Sequence, residues 1–302
     1  MSRKKVLLTG ATGFLGSHLL RSMLDHDEYD IVVLKRSFSN LFRIKDLLTS
    51  RVVVYDSDGK ELDAVFQENR FDCIVHTATN YGRAGTPTSA ILNSNLIFPI
   101  KILELAIKHG TECFINTDSY FNKEHLTYTH LLDYSLSKKS FNTWLRYFSK
   151  KIKVANIMLE HIYGEQDGPA KFVEGMIQNI AVQKIKTVNL TYGNQKRDFI
   201  YVGDAVEAYM KVMENVSKIN FSYKTYELGT GKSIEVKEFV DLIKNLSHSH
   251  TSLNFGAIPY RSDEIMDSKA DISELENLGW HPRFSPREGL CNILKKYGIK
   301  DL

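Results

Sequence analysis

A tyrosine and a lysine stand four residues apart in the segment Tyr134-Ser-Leu-Ser-Lys138. The segment opens a helical pattern, and side chains four apart on a helix project from the same face. An ammonium group beside a phenol favours the phenolate, so the pair is expected to lower the tyrosine pKa towards the range of a general acid or base. An exposed helix pair with no catalytic role has the same spacing, so the surroundings must decide between the two.

A second set of reactive groups, Asn116-Thr117-Asp118-Ser119, follows a short apolar run. This set would stand at the carboxyl end of a strand, where the loops of an α/β sheet bind their ligands. There the Thr117 hydroxyl could hydrogen-bond a substrate carbonyl or hydroxyl beside Tyr134. An ordinary turn capped by Thr117 or Asp118 is the alternative.

Three glycines, Gly10, Gly13 and Gly16, lie between an apolar run at 6–9 and an amphipathic helical pattern. A strand, a glycine turn and a helix present backbone N–H groups and a helix N-terminus to the pyrophosphate of a dinucleotide. Glycine suits the tight turn, the close approach of backbone to phosphate and the close packing of helix on strand. The loop therefore predicts a dinucleotide site, with a plain turn as the alternative.

The residues after the second apolar run decide between the two dinucleotides. NAD sites carry an acidic residue there for the ribose 2′-hydroxyl, whereas a basic residue accommodates the 2′-phosphate of NADP. This chain has Lys35-Arg36-Ser37, with Arg43 a little further on, and we expect no carboxylate at this position. The charges favour NADP(H), unless the basic residues merely decorate a loop.

These groups need a sheet that brings strand ends together, and the first half of the chain predicts one. Apolar runs of strand length alternate with helical patterns, which is typical of a parallel sheet with helices on both faces. The predicted strands are 6–9, 31–34, 52–55, 73–76, 113–116 and 154–159, and the predicted helices are 13–25, 61–68, 91–109 and 134–149.

The pattern changes after about residue 160, where helical segments are joined by short strands and turns. We therefore expect a doubly wound, Rossmann-type α/β domain and a smaller C-terminal α+β region that binds substrate. The domain would comprise 1–165 with about 198–225, and the region about 166–197 with 226–302. The predicted helices of this half are 170–181, 236–245, 271–278 and 287–296.

A further glycine-rich run, 229–233, resembles the end of a phosphate-binding P-loop. That pattern needs a glycine five places before Gly231, where this chain has Tyr226. We therefore expect a strand-to-helix turn in which Ser233 caps the helix.

Composition limits the classes of function. The 302 residues carry a formal net charge of +3, with lysine and arginine spread along the chain, so no nucleic-acid partner is expected. The three cysteines lie far apart, and two fall in apolar runs where a thiol packs as a small hydrophobe. No signal segment and no run of about 18 apolar residues stands out, so we expect a cytoplasmic protein with no membrane partner. No metal site is expected.

On these motifs the chain resembles the extended short-chain dehydrogenases/reductases, the NAD-dependent epimerase/dehydratase family, over nearly its whole length. The resemblance rests first on the glycine loop and on Thr117, Tyr134 and Lys138. It continues through Asn95, His161-Ile-Tyr163-Gly164, Arg197-Asp198-Phe199-Ile200-Tyr201-Val202 and Gly279-Trp280.

The resemblance implies which residues act on cofactor and substrate. Thr117, Tyr134 and Lys138 would be catalytic. The cofactor would be bound by Gly10, Thr12, Gly13, Phe14, Leu15, Lys35, Arg36, Ser37, Asp56, Thr77, Ala78, Asn95, Tyr134 and Lys138. A nucleotide-diphosphate sugar would be bound by Asp118, Ser119, His161, Lys171, Phe172, Leu190, Arg197 and Arg261. Many relatives have asparagine at the place of His161, for which sugar contact, titration near neutrality and core packing all stay open.

Members of this family epimerise, dehydrate or reduce nucleotide-linked sugars with one catalytic group. Dehydratases that resemble this chain have glutamate after Thr-Asp, and this chain has Ser119, so dehydration is not expected. Epimerases return the hydride and usually keep NAD, whereas reductases consume NADPH. The Lys35-Arg36 pair therefore favours reduction. The segments 34–37, 116–118 and 134–139 together resemble those of bacterial 4-keto reductases, which act in surface-polysaccharide synthesis. A 4-epimerase is the first alternative, and a non-catalytic NADP-binding regulator is a remote one.

The resemblance also implies a homodimer. Relatives often pair through the helix of the Tyr-Lys motif and the helix before it, which gives a four-helix contact. The helix faces expected to take part are lined by Leu96, Ile100, Leu103, Phe141, Leu145 and Phe148. These faces are only moderately apolar, so the sequence leaves the oligomeric state open.

Overall fold

The computed structural model describes residues 3–59, 61–83, 85–123 and 131–299. The strands in these ranges are β1 Lys4–Thr9, β2 Tyr29–Lys35, β3 Val52–Asp56, β4 Cys73–His76, β5 Cys113–Ser119, β6 Lys153–Leu159, β7 His161–Tyr163, β8 Thr187–Leu190, β9 Lys196–Arg197, β10 Phe199–Tyr201, β11 Tyr223–Leu228, β12 Ile234–Glu235, β13 Ser252–Phe255 and β14 Asp267–Ser268. The α-helices are α1 Phe14–Asp25, α2 Leu62–Glu68, α3 Thr88–Leu92, α4 Phe98–Lys108, α5 Leu132–Phe148, α6 Phe172–Ile177, α7 Val202–Asn215, α8 Val236–Leu246, α9 Ser273–Glu276 and α10 Pro286–Lys296.

The described residues form two compact units. The first comprises those up to 123 with 131–158 and 208–226, and the second comprises 159–207 and those from 227 onwards. The first unit holds a seven-stranded sheet in the order β11-β6-β5-β4-β1-β2-β3. Strand β1 pairs in parallel with both β2 and β4, so the chain reverses direction across the sheet at β1. This is the doubly wound, Rossmann-type arrangement that the sequence predicts, and its ligands bind where the order reverses.

The strands form because their apolar runs can be buried on both faces of the sheet. Val6, Leu7 and Leu8 of β1 have no exposed surface, and the same holds for Ile74 and Val75 of β4. One side of the sheet packs against helices in a single apolar cluster. Its members are Leu7, Val32, Leu34, Val65, Phe66, Phe71, Ile74, Ile102, Leu103, Ala106, Phe114, Phe141, Leu145, Phe148, Ile152 and Val154.

That cluster corrects the expected dimer faces. Leu103, Phe141, Leu145 and Phe148 lie inside it, and Leu96 and Ile100 pack against it. The apolar period of the two helices therefore marks the side that faces the sheet. The exposed apolar residues of the same helical region are Ile97, Leu132, Leu136, Trp144 and Tyr147.

The helix predicted over 91–109 is built from three pieces. A π-helical segment, Asn93–Ile97, separates α3 from α4. Among the described residues, the stretch Thr88–Lys108 alone is long and apolar enough to cross a membrane by length and composition, which the sequence analysis did not single out. The core helix of a water-soluble protein meets the same test, and α4 places Ile102 and Leu103 in the core.

The second unit contains three small sheets. Strands β7 and β10 pair in parallel, as do β8 and β13, and β9 lies between β12 and β14. The expected cap at Ser233 is wrong, because β12 follows the glycine turn and α8 begins at Val236 after Glu235. The turn is held instead by the buried Asp198, which accepts hydrogen bonds from the backbone N–H groups of Thr230 and Gly231.

Candidate active site

The glycine loop lies between β1 and α1, as the motif predicts. Gly10 has a φ of +77°, a left-handed conformation that glycine adopts without strain. A Cβ on Gly16 would lie 2.2 Å from the carbonyl oxygen of Gly10, so the helix packs too closely on the loop for any side chain there. Gly13 precedes α1 without a side-chain cap, and the first turn of α1 contains no acidic residue. This cradle fits the pyrophosphate of a dinucleotide.

The segment after β4 packs against the same loop. A Cβ on Gly10 would lie 2.5 Å from the backbone nitrogen of Ala78. The Thr77 hydroxyl donates to the carbonyl oxygen of Thr9 at 2.9 Å. The strand ends at β1 and β4 therefore form one continuous edge, with Thr77 and Ala78 beside the glycines.

The end of β2 is less basic than the sequence suggests. The ammonium group of Lys35 is paired with the carboxylate of Asp56. The Ser37 backbone N–H and hydroxyl donate to the carboxylate of Asp58 at 2.8 and 2.9 Å. The expectation of no carboxylate at this position is therefore wrong, because parallel pairing places Lys35 directly opposite Asp56.

Two arginines complete this edge. Arg36 is exposed, and its guanidinium lies 4.6 Å from the ring centre of Phe38. Arg43 donates to the carbonyl oxygen of Thr12 at 3.3 Å and stacks over Phe42, so it lies against the glycine loop. Arg36 is the more accessible cation of the two.

The three predicted catalytic residues come from β5 and α5. Tyr134 and Lys138 are both buried, one turn apart near the start of α5. The Lys138 ammonium donates to the backbone carbonyl oxygen of Thr117 at 2.7 Å. The structure thus brings the lysine of the helix and the threonine of the strand end into direct contact.

Aromatic rings enclose the phenol of Tyr134. Tyr81 stacks on it with ring centres 4.9 Å apart, and Phe121 meets it edge-on at 6.3 Å. Burial raises the pKa of Tyr134 well above its ordinary value and Tyr81 adds to the rise, while a hydrogen bond with Ser119 opposes it. The expected lowering of this pKa is therefore wrong, and the hydroxyl is protonated at neutral pH.

The buried charges behind the site are Lys138 and Asp118. Burial lowers the pKa of Lys138 to about 8, and the charge of Asp118 acts in the opposite direction. Burial likewise raises the pKa of Asp118, which Lys138 opposes. Each charge therefore helps to keep the other ionised in a poorly solvated place.

Asp118 is not placed to bind substrate as the resemblance implied. The residue is 3 % exposed, and its carboxylate accepts four hydrogen bonds. The donors are the backbone N–H of Ser119 and the side-chain amides of Asn122, Asn142 and Asn156. These donors occupy the acceptor sites of a carboxylate, so Asp118 anchors the strand end from within.

Asn95 also acts inside the protein. Its side-chain oxygen accepts from the Asn80 backbone N–H at 2.7 Å, and its amide donates to the Asn80 carbonyl oxygen and the Ser137 hydroxyl. Asn95 is buried in the π-helical segment and so ties the loop after β4 to α5 between Tyr134 and Lys138. Its place in the expected cofactor set is therefore one of support.

In the second unit, Arg197 is turned inwards. Its guanidinium pairs with Glu264 at 2.5 Å and donates to the carbonyl oxygens of Lys196 and Ile265. The side chain is 9 % exposed. The diphosphate contact expected of Arg197 is therefore unsupported, because the side chain is buried and both terminal nitrogens of its guanidinium donate within the protein.

The His161 ring is packed beside an aromatic ring and a buried carboxylate. Its ring meets Phe199 edge-on at 5.8 Å, and Nδ1 lies 3.7 Å from the carboxylate of the buried Glu160. Burial lowers the pKa of His161, and Glu160 opposes that shift without reversing it. The imidazole is therefore mostly neutral at pH 7.

The other predicted substrate residues lie at different places in the second unit. Lys171 precedes α6 and Phe172 begins it with 43 % of its surface exposed. Leu190 is buried at the end of β8, and Arg261 is exposed in the turn before Glu264.

Sequence reasoning missed two residues beside the predicted catalytic residues. Tyr81 covers Tyr134, and Tyr209 on α7 lies with its hydroxyl 2.7 Å from that of Thr117. Tyr81 lies three residues after Ala78, which the sequence analysis assigned to the cofactor together with Thr77, so its position was a usable signal. Tyr209 is 92 residues from Thr117, and no local pattern connects the two.

A nucleotide-binding sheet that carries Thr117, Tyr134 and Lys138 at its ligand edge defines a short-chain oxidoreductase fold. The model of the "NAD dependent epimerase/dehydratase family" matches residues 6–229 of this chain. The chain belongs to that family.

Comparisons with known proteins agree along the full length. A CDP-abequose synthase of Salmonella muenchen is 36 % identical over 295 residues, covering 96 % of this chain and 97 % of the relative. A CDP-abequose synthase of Salmonella typhimurium is 34 % identical over 302 residues, covering 97 % and 98 %. These similarities confirm the predicted resemblance to enzymes that modify nucleotide-linked sugars.

The fold is also found among solved structures. A UDP-glucuronic acid 4-epimerase of Bacillus cereus, in complex with UDP-glucuronic acid and NAD, superposes with a TM-score of 0.83 at 21 % identity. The match covers 97 % of this chain and 99 % of the epimerase. At this identity the comparison establishes the fold.

Proposed function

We propose that the protein reduces the C4 keto group of a nucleotide-diphosphate 4-keto-6-deoxy or 3,6-dideoxy sugar with NADPH, in surface-polysaccharide biosynthesis. The observation that carries the proposal is the catalytic group itself. A protonated, buried Tyr134 stands one turn from Lys138, whose ammonium holds the strand end at Thr117. The similarity to CDP-abequose synthases supports the choice of a nucleotide-linked sugar.

The first unit has the residues to hold the dinucleotide. The glycine loop with Thr12, Phe14 and Leu15 would receive the pyrophosphate, and Thr77 with Ala78 would lie under the cofactor. Asp56 would mark the adenine edge. When bound, the reduced nicotinamide supplies a hydride to the sugar.

The chain's own groups supply the proton and orient the carbonyl. Tyr134 donates its phenolic proton to the carbonyl oxygen, which its raised pKa allows since the group is protonated at neutral pH. The Thr117 hydroxyl donates a hydrogen bond to the same oxygen. The Lys138 ammonium would stabilise the phenolate that remains, and it would hold the nicotinamide ribose when the cofactor is bound.

NADPH as the cofactor is supported chiefly by Arg36. Its exposed guanidinium is suited to a 2′-phosphate. The carboxylates of Asp56 and Asp58 engage Lys35 and Ser37, so Arg36 has the larger share of the selectivity.

For the substrate, the second unit offers Arg261 and Phe172 as exposed groups. We assign Arg261 to the diphosphate, and His161, Lys171, Phe172 and Leu190 to the nucleotide and sugar. Ser119, which lies next to Tyr134, would contact the sugar.

The experiment follows NADPH absorbance with 4-keto-6-deoxy nucleotide sugars that differ in nucleobase. Turnover of one of them supports the reduction. Tyr134→Phe is expected to lower kcat by at least about a hundredfold and keep cofactor affinity, because it removes the proton donor alone. No turnover with any of these sugars would overturn the reductase proposal.

Two other functions are separated by the same experiment. A 4-epimerase would interconvert C4 epimers without net consumption of NADPH. A non-catalytic NADP-binding regulator would bind the cofactor and be indifferent to Tyr134→Phe.

We further propose that the protein works in the cytoplasm as a homodimer. The exposed apolar side chains of the α4–α5 region are the basis for a four-helix contact: Ile97, Leu132, Leu136, Trp144 and Tyr147. Sedimentation of wild type and Leu136→Glu tests this, and equal masses at the monomer value would refute it.

A further inference from the structure

The hydroxyl of Thr117 contacts a second hydroxyl that no motif singles out. Thr117 Oγ1 lies 2.7 Å from Tyr209 Oη on α7. Lys138 holds the same residue from its backbone side, through the Thr117 carbonyl oxygen at 2.7 Å. Thr117 is therefore fixed at both its main chain and its side chain by residues of two helices.

Burial decides which of the two hydroxyls donates. Tyr209 has no exposed surface, whereas Thr117 is half-buried. Within the described residues, Thr117 Oγ1 is the atom that can accept the proton of the Tyr209 hydroxyl. A buried hydroxyl proton without an acceptor costs free energy. Tyr209 therefore donates, and the Thr117 proton remains free to donate towards a ligand.

We propose that Tyr209 is a positioning residue that presets Thr117 as a hydrogen-bond donor, and thereby favours a ketone over the corresponding alcohol. A carbonyl oxygen only accepts hydrogen bonds, so it matches a preset donor. An alcohol also has a proton to donate, for which the preset Thr117 offers a poorer partner. The inference rests on the proposed ketone reduction and names the group that distinguishes its substrate from its product.

The hydroxyl pair is tested first without any sugar. Fluorotyrosine is incorporated in place of Tyr209 alone, and its fluorine NMR signal is recorded with Thr117 intact and in Thr117→Val. The signal is expected to move, because valine removes the acceptor and keeps the shape. The same label at Tyr29, buried in β2, is the matched control and should not move. An unmoved signal at position 209 overturns the inference whatever reaction the protein catalyses.

The positioning role is tested by kinetics. Tyr209→Phe is expected to lower kcat about five- to tenfold, the range of one neutral hydrogen bond, with the KM for NADPH unchanged. It should also tighten binding of the alcohol product relative to the ketone. Thr117→Val should lower kcat further, and adding Tyr209→Phe to it should change nothing more, because Tyr209 acts through Thr117. Thr117→Ser keeps the hydroxyl and should keep the dependence on Tyr209.

The outcomes separate this inference from the proposed function. Equal losses from Tyr209→Phe with and without the Thr117 hydroxyl overturn the inference, and so does a wild-type kcat in Tyr209→Phe. Tyr29→Phe removes another buried phenol of the same unit and should leave kcat unchanged. If the wild type exchanges C4 epimers and reduces no 4-keto sugar, the proposed reduction fails. The rate of epimer exchange is then measured for Tyr209→Phe, Thr117→Val and the double variant. Additive losses of this rate again overturn the inference, and non-additive losses support it.

Discussion

Arg36 and Lys35 are adjacent cations at the end of β2, but the structure gives them unequal weight. The Lys35 side chain is 11 % exposed and its charge is paired with Asp56. Arg36 is exposed and has no acidic partner among the described residues, its guanidinium lying over Phe38. We therefore expect Arg36→Ala to remove most of the preference for NADPH, and Lys35→Ala to remove little.

The magnitude follows from the bonds that each cation can make. A hydrogen bond to a charged group contributes about 1.5–3 kcal/mol, and each 1.36 kcal/mol is a factor of ten. Arg36→Ala is thus expected to raise the KM for NADPH about ten- to hundredfold, with the KM for NADH near its wild-type value. For Lys35→Ala a change of about threefold or less is expected, since Asp56 already neutralises the ammonium.

The assay measures KM for both dinucleotides in the wild type and the two variants. Arg21→Ala, which removes an exposed arginine paired with Asp46 on the same unit, is the control and should leave both values unchanged. Equal changes for NADPH and NADH in Arg36→Ala would refute the reasoning. A larger effect from Lys35 than from Arg36 would show that the ion pair with Asp56 opens on binding, contrary to this account.

Three further predictions concern packing, pH and the second unit. Gly16→Ala should lower the free energy of unfolding by about 1–3 kcal/mol in urea titrations, because the added Cβ would lie 2.2 Å from a backbone oxygen. Gly59→Ala, whose Cβ has only ordinary contacts, is the control, and equal unfolding midpoints for the two variants would contradict the close packing at Gly16. The kcat/KM should fall as pH rises through about 8, where Lys138 loses its proton. Asp118→Asn removes a negative charge that raises the pKa of Lys138, so in this variant the fall in kcat/KM should move to lower pH. Movement to higher pH would refute the pairing of Lys138 with Asp118. Arg197→Ala should cost stability on the order of 3 kcal/mol by leaving Glu264 unpaired in a place that is 12 % exposed, and unchanged unfolding would show that the pair is dispensable.

The sheet could be predicted where burial imposes a simple pattern. The apolar run at 73–76 coincides with β4, and the other five predicted strands lie within those observed. The seventh strand, β11, was missed because Tyr-Lys-Thr-Tyr-Glu-Leu mixes polar with apolar residues, and only Tyr226 and Leu228 are buried. An edge strand of this kind has no continuous apolar run to detect.

Features of the site could be predicted where the residues lie close together in the sequence. Contacts that depend on how separate strands or loops pair could not be predicted in the same way. Tyr134 and Lys138 share a helix, so their spacing was enough. The contact between Lys35 and Asp56 depends on the register of β2 against β3, which an expected parallel pairing of strands 31–34 and 52–55 could have suggested. The inward turn of Arg197 depends on Glu264, which is 67 residues away, and nothing in the Arg-Asp-Phe-Ile-Tyr-Val motif indicates it.

The positions of the protons at this site bear on the choice between reduction and epimerisation. An epimerase first oxidises an alcohol and needs a group ready to accept its proton, whereas a reductase first meets a ketone and needs groups ready to donate. Burial keeps the proton on Tyr134, and Tyr209 leaves the Thr117 proton free to point at a ligand. Both hydroxyls are therefore donors in the resting protein. A site with two donors and a cation behind them is complementary to the charge that develops on a carbonyl oxygen as hydride arrives, which supports reduction as the direction for which this site is organised.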